Sequence, residues 1–189
     1  MIKELKNRYS PLLFKKKGIP KTKLKRCLEA AQWSPSCSNK QPWKFLLVEG
    51  SRRIAKLSSA FPKGNQWAMK APMVGFIISD PSLDCIMEEN ENLEYFQYDC
   101  GMAMMSFVIQ AEAEGLKTHQ MAGYSEKEVK KLLKIPKKSR VIVAFAMGYE
   151  EKLKDYKEEI HPRLLERIMQ TKRNRKPLSE VFSMNRYES

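Results

Sequence analysis

The sequence is poor in the features that mark metal-binding, secreted or membrane-spanning proteins. It has 189 residues, with only 4 cysteines, 2 histidines and 8 glycines. The cysteines form no Cys-x-x-Cys pair and neither histidine is spaced as a metal ligand, so we expect no metal site and predict reduced thiols. No segment approaches the ~20 uncharged apolar residues that cross a bilayer, and the N-terminus has no signal-peptide pattern. These absences predict a cytoplasmic protein without a membrane partner.

Hydrophobic periodicity predicts a mixed α+β protein. Helices are predicted over residues 22–33, 51–60, 93–114, 126–133 and 162–171, and strands over residues 43–48, 73–79, 118–121 and 141–147. Gly115 stands where a cap ends the long helix, and the strands at 43–48 and 73–79 are expected to be buried. The acidic run at 84–94 is predicted to be a solvated loop or a helix start. At roughly 150 residues per domain, the length favours a single domain over 1–189.

Positive charge is in excess. The chain has 35 Lys and Arg against 22 Asp and Glu, a formal net charge of +13, and basic residues concentrate within 1–26 and 163–176. Such a charge raises non-specific affinity for polyanions. Aromatic residues are not interleaved with the basic runs, which argues against nucleic acid as the partner. A basic nucleic-acid-binding protein remains the alternative from a different functional class.

A polar loop with the sequence SPSCSNKQPW, residues 34–43, lies between a predicted helix and a predicted strand. It is dense in small polar side chains and in backbone N–H groups outside secondary structure. Such groups match the donor and acceptor edge of a planar heterocycle. A well-capped turn without a ligand explains the same composition, so the loop alone leaves both interpretations open.

The polar loop, preceded by the helix LKRCLEAAQW, resembles the signature of the nitroreductase family of flavin-dependent oxidoreductases. In that family Ser/Ala-Pro-Ser-x-x-Asn-x-Gln-Pro-Trp follows an Ala-rich helix. Four further segments are similar to the family's in the same order: Arg8-Tyr9-Ser10, Asn65-Gln66-Trp67, Ala122-Gly123-Tyr124 and Arg173-Asn174-Arg175. The resemblance covers almost the whole chain. It implies an α+β sandwich with a central, mostly antiparallel sheet flanked by helices, and a homodimer that binds FMN at its interface.

The resemblance also implies a role for individual residues. Arg8 and Ser10 match positions that hold the flavin phosphate, a dianion that a guanidinium group suits. Arg173 and Arg175 match a basic pair at the same phosphate, although a solvated basic tail explains them from charge alone. The polar loop matches a segment that packs on the flavin ring from the neighbouring subunit, and residues 120–123 match a segment near its N5 and O4 atoms. The predicted FMN-binding residues are Arg8, Tyr9, Ser10, Pro35, Ser36, Cys37, Asn39, Gln41, Asn65, Met121, Ala122, Gly123, Arg173 and Arg175.

The implied activity is transfer of hydride from NADH or NADPH, through flavin N5, to a small acceptor such as a nitroaromatic or a quinone in a ping-pong sequence. No catalytic side chain is predicted, because the flavin carries the chemistry. A reductase of halogenated or unsaturated metabolites is the alternative within the fold. Leu12 departs from the family, which commonly has a cation there. The C-terminal tail, about residues 172–189, is expected to pack on the partner subunit.

Overall fold

We describe residues 1–85, 94–156, 160–170 and 173–186 in a computed structural model of the protein. They form two compact units, Met1–Glu159 and Ile160–Ser189. Most of the acidic run that the sequence predicts as a solvated loop, residues 86–93, lies outside the described residues. None of the described helices is long and apolar enough to cross a membrane.

A four-stranded antiparallel sheet is the centre of the first unit. Its strands are β1 (Trp43–Glu49), β2 (Met73–Ser79), β3 (Lys117–Met121) and β4 (Arg140–Gly148), in the spatial order β1-β2-β4-β3. Every residue of β2 is buried, as expected for a central strand. The expectation that the strand at 43–48 is buried as well is wrong for Lys44, which is exposed. An edge strand pairs on one side only, so its outer positions tolerate charge.

The α-helices are α1 (Lys3–Asn7), α2 (Lys21–Gln32), α3 (Ser51–Ala55), α4 (Tyr95–Ala113), α5 (Glu126–Leu133) and α6 (Pro162–Gln170). The long helix α4 contributes much of the core, packing its buried side against α2 and the sheet. Gly115 ends α4, as predicted, with φ at +71°. There Leu116 N donates to Ala111 O at 2.8 Å and Gly115 N to Glu112 O at 3.0 Å, the paired bonds of a Schellman cap.

The helix predicted over 51–60 is shorter than expected. The α-helical part ends at Ala55, and a 3₁₀ turn follows at Ser58–Ala60. Leu57 N donates to Ile54 O and Ala60 N donates to Leu57 O, both at 2.9 Å. Ile54, Leu57 and Ala60 are all buried. A spacing of three places these side chains on one face of a 3₁₀ helix, which explains why the segment tightens after Ala55.

Gly75, in the middle of β2, makes room for an aromatic ring. A Cβ atom at position 75 would lie 2.3 Å from Cζ of Phe145, the residue opposite it on β4. The Phe145 ring also lies 5.4 Å from the ring of Phe107 and 6.4 Å from that of Phe45. The glycine therefore lets one ring cross the central strand and join the core on that face of the sheet.

The second unit contains α6 and a 3₁₀ turn at Leu178–Glu180. Helix α6 has charged Arg163, Glu166 and Arg167 beside apolar Leu165 and Met169. Several large apolar side chains of this unit are exposed: Leu165, Met169, Leu178, Val181, Phe182 and Met184. An apolar surface of this kind is typical of a segment that packs against a protein partner.

Candidate functional site

The polar loop has an uncommon backbone conformation. Ser38, Asn39 and Gln41 have φ values of +48°, +54° and +48°, in the left-handed region that residues other than glycine rarely occupy. Such conformations persist where the surrounding structure holds them, and they cluster at functional sites. Three of them within four residues make this loop the first candidate site.

Helix α4 holds the polar loop in place. The Ser34 hydroxyl lies 2.7 Å from the Ser106 hydroxyl, and the backbone N–H of Cys37 donates to both carboxylate oxygens of Asp99 at 3.2 and 3.3 Å. Within the loop, the backbone N–H of Gln41 donates to the Ser36 hydroxyl at 3.0 Å. Two bonds to one rigid helix thus fix the first half of the loop.

Asp99 is a site residue that the sequence does not predict. Its exposed fraction is 2%. Burial raises the pKa of this carboxyl, the bond from the Cys37 N–H acts in the opposite direction, and the charge of Asp84 raises the pKa further. The signal in the sequence is a lone carboxylate inside the otherwise uncharged segment YFQYDCGMAMM. A buried carboxylate within a helix has to find a donor from another segment.

The expectation of reduced thiols is wrong for two cysteines. Cys37 of the polar loop forms a disulfide with Cys85, which follows the short turn after β2, with a Cα–Cα distance of 6.2 Å. The partners are 48 residues apart, so the short spacings that identify cysteine pairs in a sequence do not detect them. The expectation is correct for Cys27 and Cys100, which are free and buried. Cys37 is therefore not a free nucleophile here.

A second part of the candidate site lies at the end of β3. The predicted residues Ala122 and Gly123 are exposed there, next to buried Met121. Asn65 Nδ2 donates to the Gly123 carbonyl at 2.9 Å, and a Cβ atom at position 123 would lie 2.7 Å from that nitrogen. The structure thus brings Asn65 and Gly123, two predicted site residues from distant segments, into direct contact.

The N-terminal segment Arg8-Tyr9-Ser10 lies beside the same strand. Nζ of Lys117 lies 4.4 Å from the centroid of the Tyr9 ring, and His119 Nδ1 donates to the Pro11 carbonyl at 2.9 Å. Burial and a hydrogen bond to Glu150 raise the pKa of the Tyr9 hydroxyl. Arg8 and Ser10 are half-buried. Tyr9 and Pro11, the neighbours of the predicted phosphate-binding residues, therefore contact β3, the strand that ends at the predicted ring-binding residues 121–123.

Comparison with known proteins identifies the family. Residues 5–149 match the model of the nitroreductase family. The chain belongs to the nitroreductase family. A protein of Archaeoglobus fulgidus named as an NADH dehydrogenase/NAD(P)H nitroreductase is 26% identical over 161 residues, which are 83% of this chain and 89% of that protein.

Solved nitroreductase-type structures agree with this assignment. A crystal structure described as an oxidoreductase containing FMN is 30% identical with a TM-score of 0.83, covering 100% of this chain and 93% of its own. A nitroreductase family protein from Clostridium novyi NT is 26% identical with a TM-score of 0.73, covering 82% of this chain and 87% of its own. The predicted α+β nitroreductase fold is confirmed.

The remaining predicted residues of this nitroreductase-family chain lie in the polar loop and in the second unit. Hydrogen bonds of the polar loop, which includes Pro35, reach α2, α4 and residues 84 and 85, and others lie within the loop itself. Arg173 and Arg175 lie in the second unit, where Arg175 Nη1 donates to the Asn174 carbonyl at 2.8 Å. Their assignment to the flavin phosphate stays a prediction. Across the described part of the chain, no group of three or more Cys, His, Asp and Glu residues is arranged to hold a metal ion.

Proposed function

We propose that this protein transfers hydride from NADH or NADPH, through bound FMN, to a small organic acceptor such as a nitroaromatic or a quinone. Family membership supplies the coarser statement: the chain is an NAD(P)H-dependent flavin oxidoreductase whose cofactor is FMN. The observation that carries the finer proposal is the exposed Ala122 and Gly123, where Asn65 bonds to the Gly123 carbonyl at the end of β3, the strand that His119 joins to Pro11.

The residues present fit FMN, which combines a phosphate dianion with a flat ring. Arg8 and Ser10 offer a guanidinium group and a hydroxyl, the donors that suit a phosphate. Gly123 has no side chain, and the Asn65 amide occupies the space that a Cβ atom would need, so the glycine permits the bond that holds this exposed backbone. A phosphate-binding donor set and an exposed backbone for the ring are the two elements that this cofactor requires.

When bound, FMN supplies the atom that accepts and gives up hydride. The chain's own residues orient it: the N–H groups of Ala122 and Gly123 would donate to the polar edge of the ring, and Asn65 would fix that backbone. Leu12 is 8% exposed, so this position holds a buried apolar side chain rather than a cation. Because the flavin carries the chemistry, binding and orientation are the protein's contribution to the reaction.

We also propose a homodimer. Trp33, at the end of α2, is 88% exposed, and Tyr98 on α4 is 59% exposed. Large exposed aromatic side chains are typical of protein interfaces. A second copy seated on this face would cover both rings and bring its own polar loop to the site. The exposed apolar side chains of the second unit fit the prediction that the C-terminal tail packs on the partner subunit.

The test is the absorbance spectrum of the purified protein after addition of FMN and desalting, followed by anaerobic NADH or NADPH. Retained flavin that bleaches supports the proposal, and loss of all flavin on desalting contradicts it. Steady-state assays with nitroaromatics, quinones and halogenated aromatics then distinguish the acceptors. Turnover confined to the halogenated compounds would replace the nitroaromatic or quinone acceptor with the alternative class.

A further inference from the structure

The four cysteines form two pairs with opposite surroundings. Cys27 and Cys100 are free and fully buried, and burial raises the pKa of their thiols to about 11 and about 12. Cys37 and Cys85 are joined to each other and only half-buried. Thiol–disulfide exchange requires a thiolate that can reach a sulfur atom. An external thiol can therefore reach and reduce the disulfide, whereas the buried thiols of Cys27 and Cys100 are protected from exchange.

The disulfide joins two segments that are each anchored to α4. Asp84 Oδ1 accepts from the backbone N–H groups of Cys85 and Phe96, both at 2.8 Å, and so fixes Cys85 at the start of α4. Lys40 Nζ donates to the Asp84 carbonyl at 2.6 Å. On the other side, Asp99 accepts from the Cys37 N–H. The polar loop thus depends on a covalent bond as well as on a few hydrogen bonds.

The residues next to the disulfide are those in the left-handed conformation. Ser38 and Asn39 follow Cys37 directly, and both have positive φ. A residue other than glycine keeps this conformation only where several interactions hold it. Opening the disulfide removes the covalent interaction and leaves hydrogen bonds at Cys37, from its N–H to Asp99 and from the Lys40 N–H to its carbonyl. The conformation of the loop is therefore coupled to the oxidation state of the two sulfurs.

We propose that Cys37 and Cys85 form a reversible redox site that exchanges electrons with external thiols and controls the conformation of the polar loop. A thiolate attacks one sulfur, the Cys37–Cys85 bond breaks, and a mixed disulfide forms. A second thiol then displaces the chain from the mixed disulfide. The two external thiols together lose two electrons and two protons and become a disulfide. Cys37 and Cys85 gain the two electrons and two protons and become thiols. An external disulfide reverses the reaction.

The loop contains Ser36, Asn39 and Gln41, which are predicted to contact FMN. Opening the disulfide should therefore weaken FMN binding, a consequence that rests on the proposed function. The exchange reaction and the release of the loop do not rest on it. Each can be measured on the protein without flavin.

The first experiment places the native protein in glutathione buffers of graded reduced-to-oxidised ratio, alkylates it and locates the label by peptide mass spectrometry. We expect Cys37 and Cys85 to be unlabelled in oxidised buffer and to become labelled together as the ratio rises, while Cys27 and Cys100 stay unlabelled. A disulfide that remains intact in a large excess of reduced glutathione is purely structural and overturns the proposal. Labelling of Cys37 before any reductant is added overturns it as well.

The second experiment compares amide hydrogen exchange at residues 36–41 in the oxidised and the reduced wild-type protein. We expect exchange to become at least about tenfold faster on reduction, because local opening is easier once the covalent bond is removed. Cys85→Ser should show the fast rates in both buffers, and Leu83→Ala, which changes a nearby exposed side chain but keeps the disulfide, should behave as wild type. Equal rates in oxidised and reduced wild type overturn the proposal.

FMN titrations in the two buffers complete the test. We expect the Kd for FMN to rise about tenfold on reduction of the wild type and to be independent of the buffer for Cys85→Ser. If FMN binds in neither buffer, the proposed function is wrong. The labelling and hydrogen-exchange results still show whether Cys37 and Cys85 form a reversible redox site. If loop exchange responds while the FMN affinity does not, the predicted consequence for FMN is wrong.

Discussion

Asp99 is a carboxylate whose environment favours its protonated form. Its pKa is raised mainly by burial, although the Cys37 N–H stabilises the charge. A carboxyl whose pKa is higher in the folded state binds more protons there than in the unfolded chain. Its stabilising contribution is complete below the ordinary pKa of about 3.9 and is lost as the pH rises through the raised value. Once Asp99 is ionised, its buried charge therefore opposes folding.

Replacement of Asp99 tests this reasoning. Asp99→Asn keeps an acceptor for the Cys37 N–H and removes the buried charge, so we expect a higher free energy of unfolding at pH 7. Asp99→Ala leaves the N–H unpaired and should lower it by about 1–3 kcal/mol. Urea unfolding at pH 7 and pH 3 measures the free energy of unfolding of both variants. The extra stability of Asp99→Asn over wild type should disappear at pH 3. An Asn variant less stable than wild type at pH 7 would contradict the prediction.

A side chain at position 123 is predicted to displace the Asn65 amide. In Gly123→Ala the new Cβ atom would meet Asn65 Nδ2 at 2.7 Å, displacing the amide that fixes the strand end. We expect the Kd for FMN to rise about tenfold, or ~1.4 kcal/mol, in an equilibrium fluorescence titration. Gly64→Ala is the matched control, because nothing lies within 4 Å of its Cβ position. Equal losses in both variants would rule out the contact as the cause.

At the scale of elements, an ion pair joins α2 to the end of α4. Arg26 donates two hydrogen bonds to the Glu114 carboxylate, at 2.5 and 2.7 Å, and Gln110 donates another at 3.0 Å. The Arg26 bond lowers the pKa of Glu114 to about 2. A lowered carboxyl pKa contributes stability that is complete above the ordinary value of about 4.3 and is lost as the pH falls toward 2.

The prediction for this pair concerns Glu114→Gln. We expect a small decrease in Tm at pH 7, since the pair is open to solvent, and no difference from wild type near pH 2. Thermal unfolding followed by circular dichroism at the two pH values measures this. Glu29→Gln, which breaks the exposed pair with Lys25 on α2, is the control and should show no such pH-dependent difference. A Tm difference that persists at pH 2 would refute the role of the carboxylate.

Most elements could be predicted from the sequence, because periodic burial determines them. Helix α5 occupies the predicted residues 126–133, and β2 occupies the predicted residues 73–79. The segment after Ser51 was less predictable, because its apolar residues do not distinguish an α-helix from a 3₁₀ helix. The packing of Ile54, Leu57 and Ala60 in the core selects the tighter helix. The residues proposed to bind FMN come from the family resemblance, because a Gly or an Asn in a loop has no pattern of its own.

Two features of the candidate site could not be predicted. The Cys37–Cys85 disulfide joins residues that only the fold brings together, the first in the polar loop and the second after β2. Asp99 lies in a helix whose apolar residues cover nearly its whole circumference, so periodicity does not distinguish it. Both depend on how segments pack against one another, and local sequence contains no information on that.

At the scale of the whole molecule, the proposed dimer depends on burial of the exposed Trp33 ring in the interface. We expect the wild type to sediment as a dimer at micromolar concentration, because burial of a ring that is 88% exposed stabilises an interface. Trp33→Glu should sediment as a monomer and retain less FMN, since the partner's polar loop would be absent. Leu132→Glu alters an exposed leucine on α5 and should remain dimeric. A monomeric wild type would contradict the prediction.

The ring of Phe145 occupies the space that a side chain at position 75 would need, and this has an evolutionary consequence. A mutation that enlarges residue 75 is tolerated only after residue 145 has become smaller, so the two positions should covary among homologous chains. In the laboratory, Gly75→Ala should cost about 1–3 kcal/mol through overpacking, and part of that loss should be recovered in the background of Phe145→Leu. A double-mutant cycle with no coupling would show that the two positions evolve independently.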